Sequence, residues 1–368
     1  MSKRLKNTAK EVDSTSASKT TKPTNTTLKK YLVERGRELR LVDANERLAR
    51  ELARAKGHTA DLVEAVQRAL KDAVTGLVIP PVPVPTKERR RVGDGEKAVV
   101  VVSDVQLAKT TPSYSTAIAE KRLAQYAEKV VALTEIQRHD HPVNEARVYL
   151  LGDIVEGEMI FPSQPHQIDA SLYRQVAVDG PRILVNFLRT LLTSFTRVHV
   201  VGVIGNHGAL GGPVRRQYNP ETNADRMLYQ FVRELLRDEP RLTWNIPFET
   251  NERAWYAVDT PYEGQGFLLY HGDQLPGTAN YSVGTLAKYL WGLASGAVPE
   301  PFKYAINGHY HTPRRFVLNN ITSWQNGSTE SSNRYAQERL AAVGEPTQLL
   351  LFVHPRKGVS AEYWVHLD

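Results

Sequence analysis

Along the chain, apolar and polar positions fall into two regimes. Residues 1–27 are rich in Ser, Thr and Lys with almost no large apolar side chains, so they cannot offset the entropy of ordering and are expected to be disordered. From Leu28 the pattern turns helical: Leu28, Leu32, Leu39, Val42, Leu48 and Leu52 recur at roughly helical spacing with Arg and Glu between them, and Gly57 ends the run. Thr59 offers an N-cap to a second stripe, Leu62, Val63, Val66, Leu70 and Val74. Residues 28–78 therefore read as a helical module. Pro80, Pro81, Pro83 and Pro85 follow in a semi-rigid linker over 79–96, which runs through Arg89-Arg90-Arg91 and Gly93-Asp94-Gly95. This is the clearest domain boundary in the chain, and few contacts are expected to cross it.

Beyond it, over 97–368, strands and helices alternate. Val99–Val102 is a β-branched run, the signature of a strand buried on both faces. Residues 115–137 predict a helix, 148–151 a strand, and 171–195 a helix interrupted by Gly180-Pro181. Residues 198–204 predict a strand and 221–238 an amphipathic helix. After residue 240 strands dominate, at 241–246, 253–258, 266–271, 303–307, 314–318, 347–354 and 360–366. That order predicts an α/β layered sandwich with a sheet-rich C-terminal half.

Composition narrows the chemistry. With 368 residues, 41% of them hydrophobic, there is ample length for a core, in one large domain or two ordinary ones. The absence of cysteine excludes disulfides, thiolate metal sites and cysteine nucleophiles. No run of 18 apolar residues predicts a membrane span. The basic N-terminus is followed by no apolar stretch of the signal-peptide kind, so a cytoplasmic protein is expected. The net charge of +7 is unevenly placed. Residues 1–95 carry 21 Lys and Arg against 12 Asp and Glu, leaving 26 against 28 for the rest. A basic appendage on a near-neutral body attracts phosphate backbones without sequence preference. A solubilising arm or a helix-mediated homodimerisation arm are the other readings.

Chemistry-bearing residues gather where strands stop. Asp104 and Gln106 follow the first buried strand, Gly152-Asp153 the second, and Gly205-Asn206-His207 the third. His271 and Gly308-His309-Tyr310-His311 follow two later ones. In open α/β sheets, ligands bind beyond the carboxyl ends of the strands. Asp, Asn and His on tight glycine-bearing turns form a set of hard and borderline metal ligands. One Gly-Asp after a strand is ordinarily a turn, but five such signals in order are not explained that way.

As a set, these residues resemble the calcineurin-like metallophosphoesterases, over about residues 98–330. Gln325-Asn326-Gly327-Ser328 and Arg334-Tyr335-Ala336 look like phage-encoded members of that superfamily. The resemblance implies a metallophosphoesterase β-sandwich flanked by helices, here with an N-terminal helical extension, and a site for two divalent metals. Asp104 and His311, with Gln106, would hold one; Asp153 would bridge; Asn206, His271 and His309 would complete the other. His207 would stay off the metals and serve the scissile phosphate as acid or charge stabiliser.

Two positions depart from that pattern. Gln106 stands where histidine is usual, which favours Mn²⁺, or Mg²⁺, over Zn²⁺ or Fe. Gly208 stands where an acidic neighbour of the Asn-His pair is common, leaving His166, Asp169 or Asp273 to orient His207. The expected activity is phosphodiester hydrolysis, foremost by a nuclease resembling the double-strand-break repair branch, in a host cytoplasm if phage-encoded, with nucleic acid held through the basic N-terminal region. A phosphatase or phosphodiesterase for small molecules such as cyclic nucleotides is the alternative. A non-catalytic nucleic-acid-binding subunit of the same fold stands behind both.

Overall fold

Strand β1 (Glu96–Val102) packs apolar side chains on both of its faces, as its valine run predicts. In the computed structural model, which describes residues 64, 68, 79–85, 95–158, 160, 163–210, 222–246, 255–275, 281–330 and 345–368, Ala98, Val100 and Val102 face helices while Val99 and Val101 face a second sheet. The expected tail over 1–27, the helices of 28–78 other than Glu64 and Arg68, Arg89–Arg91 and Arg334-Tyr335-Ala336 lie outside the described residues.

Two sheets form the body. The first joins β1 to β2 (Val143–Leu150), β3 (Arg197–Gly202), β4 (Leu242–Asn245), β10 (Thr347–His354) and β11 (Gly358–His366), in the order β11-β10-β1-β2-β3-β4. The second comprises β5 (Tyr256–Asp259), β6 (Phe267–Tyr270), β7 (Tyr304–Asn307), β8 (Arg314–Leu318) and β9 (Ile321–Gln325), in the order β5-β6-β7-β9-β8. Between the sheets lies an apolar layer that includes Val99, Val101, Tyr149 and Val201 from one side and Phe267, Ile306 and Trp324 from the other. Helices α1 (Thr116–Gln137), α2 (Gly180–Leu192) and α3 (Ala224–Leu235) cover the outer face of the first sheet, and α4 (Val283–Gly292) that of the second. The expected α/β sandwich flanked by helices is present.

Local chemistry explains where the elements start and where the reading differed. Ser115 caps α1 by accepting from the Ile118 N–H, and Asn223 caps α3 by accepting from the Asp225 N–H at 2.9 Å. Gly180-Pro181 does not break the helix expected over 171–195. A turn at Leu172–Arg174 and a π-helical turn at Gln175–Asp179 lead straight into α2, with Pro181 in the first turn of α2. α4 and β9 were missed. Gly284 and Gly292 dilute the helical signal of α4, and Ile321-Thr-Ser-Trp-Gln is a short, largely polar stretch after an Asn-Asn turn.

Register places the strand ends together. Val102, Leu150 and Gly202 are in line across three parallel strands of the first sheet, and Tyr270, Asn307 and Gln325 across three of the second. Every candidate site residue lies one to five positions beyond one of these ends.

Part of the proline-rich stretch packs against the body. Val82 is buried against the helical layer, its carbonyl accepts from Arg241 at 2.9 Å, and the Pro80 carbonyl accepts from Arg189. Burying one valine and pairing these carbonyls is worth roughly 2–3 kcal/mol. Removal of residues 1–94 should therefore lower unfolding stability by about that amount relative to removal of residues 1–78, measured by urea denaturation of both truncated proteins. Equal midpoints would show that 79–85 contributes nothing to the body.

Candidate metal centre

The turns beyond the strands hold backbone conformations that ordinary side chains rarely adopt. Asp104, Gln106, Asp153, His309 and His311 all have positive φ, between 45° and 73°. Each such residue costs of order 1–3 kcal/mol and persists only where its surroundings over-determine it. Glycines permit the close approach of these turns. At Gly152, with φ of 84°, a Cβ would overlap the backbone of Gly205, and at Gly205 it would overlap the Asp153 carboxylate. The two glycines let the second and third turns interlock and bring Asp153 against Asn206 and His207.

Asp153, Asn206, His271 and His309 converge. His271 Nδ1 donates to the Leu151 carbonyl at 2.8 Å. A carbonyl only accepts, so the imidazole of neutral His271 is fixed with its lone pair on Nε2. Around Nε2 lie Asp153 Oδ2 at 2.9 Å, Asn206 Oδ1 at 3.2 Å and His309 Nδ1 at 3.2 Å. The candidate ligand atoms of Asp153, His271 and His309 lie within 4.8 Å of one another. Burial opposes charge on both Asp153 and His271, yet each favours the ion in its neighbour: His271 is pushed up to about 10, and Asp153 is held well below the ordinary carboxylate range. Burial, then the positive His271, push His309 down to about 3. Such a cluster of electron-pair donors around one point fits a divalent cation, and its mixture of carboxylate, amide oxygen and imidazole suits Mn²⁺, Fe or Zn²⁺.

Asp104 and His311 form the neighbouring half. The Asp104 carboxylate is fully buried, accepts the His309 N–H at 3.0 Å and lies 3.3 Å from His311 Nε2. His311 Nδ1 is 3.5 Å from Glu330, and despite burial these two carboxylates push its imidazole up to about 9. Gln106 is here too, but its amide nitrogen is the atom near His311 and His207, at 3.3 and 3.4 Å, while its oxygen accepts from the Lys109 ammonium at 2.6 Å. Behind Asp104 the Asn326-Gly327-Ser328 turn acts as a buttress. Ser328 Oγ donates to the Asp104 carbonyl at 2.7 Å, and Asn326 Nδ2 donates to Ser103 Oγ and Gln348 Oε1.

His207 stands between the halves. Its N–H donates to Asp153 Oδ1 at 2.7 Å, and its ring Nδ1 lies 3.1 Å from both the carbonyl and the carboxylate of Glu156. Burial disfavours its charge, but Asp153 and Glu156 raise its pKa. The acidic partner is thus Glu156, not any of the three residues expected from sequence. Asp169 accepts from the Thr116 N–H at the start of α1, and His166 and Asp169 are both exposed. Asp273 is felt by His271, on the other side of the cluster. The turn Asp153-Ile-Val-Glu156 had carried a signal, a second carboxylate three positions after the first.

Asp225 has the widest reach of the residues that sequence reasoning missed. From the first turn of α3 its buried carboxylate accepts four backbone N–H groups: Asp153 at 2.9 Å, Ile154 at 3.0 Å, Val155 at 3.2 Å and Gly205 at 2.9 Å. Burial and the Asp153 charge raise its pKa to about 6. Tyr173 is exposed, and Arg174 turns back onto Asp179 at 3.0 Å.

No protein-family model matches the chain, and no curated protein does. Solved structures with a similar chain course include a Streptococcus pneumoniae TIGR4 protein described as a predicted phosphoesterase. It covers 74% of this chain and 100% of its own, at 11% identity and a TM-score of 0.31. Vacuolar protein sorting 29 from Cryptosporidium parvum matches over 74% of this chain and 100% of its own, at 13% identity and 0.35. An archaeal phosphodiesterase matches over 73% and 99%, at 9% and 0.35. Likenesses at this level decide nothing about the chemistry, which rests on the geometry above.

Replacing Asp225 by Asn turns one acceptor oxygen into a donor that faces backbone N–H groups. Two of the four are left unpaired, at about 1–3 kcal/mol each. Asp225→Asn should therefore lose several kcal/mol of stability in denaturant titration. A loss below about 1 kcal/mol would show that the clamp does not hold the turns.

Proposed function

We propose that this protein is a divalent-metal-dependent phosphodiesterase, and that its substrate is nucleic acid. The observation that carries the first part is the convergence of Asp153 Oδ2, Asn206 Oδ1 and His309 Nδ1 on His271 Nε2, an arrangement of electron-pair donors that asks for a cation. A bound divalent ion would polarise a phosphoryl oxygen and lower the pKa of a coordinated water. Asp153, Asn206, His271 and His309 would hold it, with Asp104 and His311 on the adjoining side. His207, whose pKa Asp153 and Glu156 raise against the opposing effect of burial, would in its protonated form donate to the leaving oxygen or stabilise charge developing on the phosphoryl group. Glu156 orients the ring, so Nε2 is the atom turned toward Gln106 and the site. Preference for nucleic acid is supported by the basic excess confined to residues 1–95, on a body that is close to neutral.

Three variants test the chemistry. Asp153→Asn should abolish metal-dependent hydrolysis of a chromogenic phosphodiester, and retention of most of that activity would contradict the proposal. His207→Ala should keep its metal content while turnover falls about 10²–10⁴-fold, the usual scale for a positioned acid. His309→Ala should lose metal instead, both being read by elemental analysis of the purified proteins. Equal metal loss in the two would place His207 among the ligands.

The substrate is tested by removing residues 1–78. Affinity for linear duplex DNA should drop and lose salt dependence, each phosphate contact having contributed about −0.9 to the log–log slope, while turnover of the chromogenic diester is spared. Unchanged DNA affinity together with a fall in sedimentation mass would assign the arm to dimerisation. In that case hydrolysis of cyclic nucleotides in preference to linear DNA would identify a small-molecule enzyme.

A further inference from the structure

The half of the site around Asp104 is already supplied with a positive charge by the protein. Lys109 sits three residues after Gln106, its side chain largely buried, and its Nζ donates to Gln106 Oε1 at 2.6 Å and pairs with Glu330 Oε2 at 2.7 Å. Glu330 is itself buried, its side chain only 2% exposed, and its Oε1 has no hydrogen-bond partner among the described residues. The amide oxygen of Gln106 is the atom that could bind a cation, and Lys109 draws it away. What remains turned toward His311 and His207 is the amide nitrogen, whose protons repel a cation. Ala108, between the two residues, has a φ of 84°, so the strained turn that carries Gln106 also fixes where the lysine side chain starts.

We infer that the Lys109 ammonium takes the place of one of the two divalent ions, so that the protein works with a single ion in the Asp153–Asn206–His271–His309 pocket. This rests on the metal-dependent reading above and reduces to one the two ions that the family resemblance implies. A divalent ion beside Asp104 would have to expel Lys109 from two buried partners, leaving that ammonium without compensation or forcing it into solvent. The positive charge on that side is an ammonium held by Glu330, which cannot leave as an ion does. Removing the ammonium reverses the situation. Asp104, His311 and Glu330, with a Gln106 amide free to rotate, would then offer three or four donor groups to a second ion.

The test is the number of Mn²⁺ ions bound by the full-length, metal-stripped chain. It is counted by equilibrium dialysis with elemental analysis and by electron paramagnetic resonance, which separates isolated from exchange-coupled Mn²⁺. Wild type should bind one ion per chain with an uncoupled signal. Lys109→Met should bind two with a coupled signal, and Lys109→Gln is the substitute if that variant does not fold. Lys109→Arg, which keeps the charge, should stay at one, and Lys109→Met combined with Glu330→Gln should fall back toward one. Two coupled ions in wild type would overturn the inference while leaving a metal-dependent hydrolase in place. A count of one in the foldable Lys109 variant lacking the charge would overturn it as well. Absence of any bound ion in wild type, with no phosphodiester hydrolysis, would overturn both this inference and the function on which it rests.

Discussion

Two carboxylates, Asp104 and Asp153, are buried almost completely at the ends of adjacent parallel strands, and the architecture around them exists to make that tolerable. Like charges this close and this dry repel strongly unless each is given partners. Asp153 receives the His207 N–H and the His271 ring, and Asp104 receives the His309 N–H and the His311 ring. Those partners come from β3, β6 and β7, in both sheets. The sandwich is therefore more than a scaffold beneath the site. Only by stacking the sheets with three parallel strand ends of each in register can the fold bring five separate turns to one place.

Holding the turns there is a task for residues that never face a ligand. Asp225 gathers four N–H groups from the second and third turns, while Ser328 and Gln348 donate to the Asp104 and Ser103 carbonyls of the first and Asn326 donates to Ser103 Oγ. Five of the facing side chains sit on left-handed backbone, so the turns are under strain that these buried hydrogen bonds must counter. Function and stability are coupled through the same atoms, because the Asp225 clamp holds the backbone that carries Asp153 and Asn206.

How much of this was legible in the sequence follows from range. Strands with two buried faces announce themselves as valine runs, and turns with Gly-Asp or Gly-Asn-His at their ends are local signals, so the sandwich and each donor-bearing turn could be read in order. The structure brings all eight of the residues so marked to one edge. What could not be read are the partners supplied from a distance. Asp225 lies at a helix start some 70 residues from the backbone it clamps, and to the eye it is an ordinary acidic residue in a first turn. Glu330 and Lys109 are separated by 221 positions. Gln106 was identified by position, yet the direction of its amide is set by Lys109, and a rotation about one bond decides whether oxygen or nitrogen faces the site. α4 and β9 were missed for a different reason, their short or glycine-diluted patterns being completed by the sheet they pack on.

The donors that would hold a cation meet in a pocket made by Asp153, Asn206, His271 and His309. A crystal of the full-length protein soaked in Mn²⁺ and recorded at an energy where manganese scatters anomalously tests it most directly. The account predicts a strong anomalous peak within bonding distance of Asp153 Oδ2, Asn206 Oδ1, His271 Nε2 and a ring nitrogen of His309. An absence of density there at saturating Mn²⁺, or ions bound only at surface carboxylates, would contradict it.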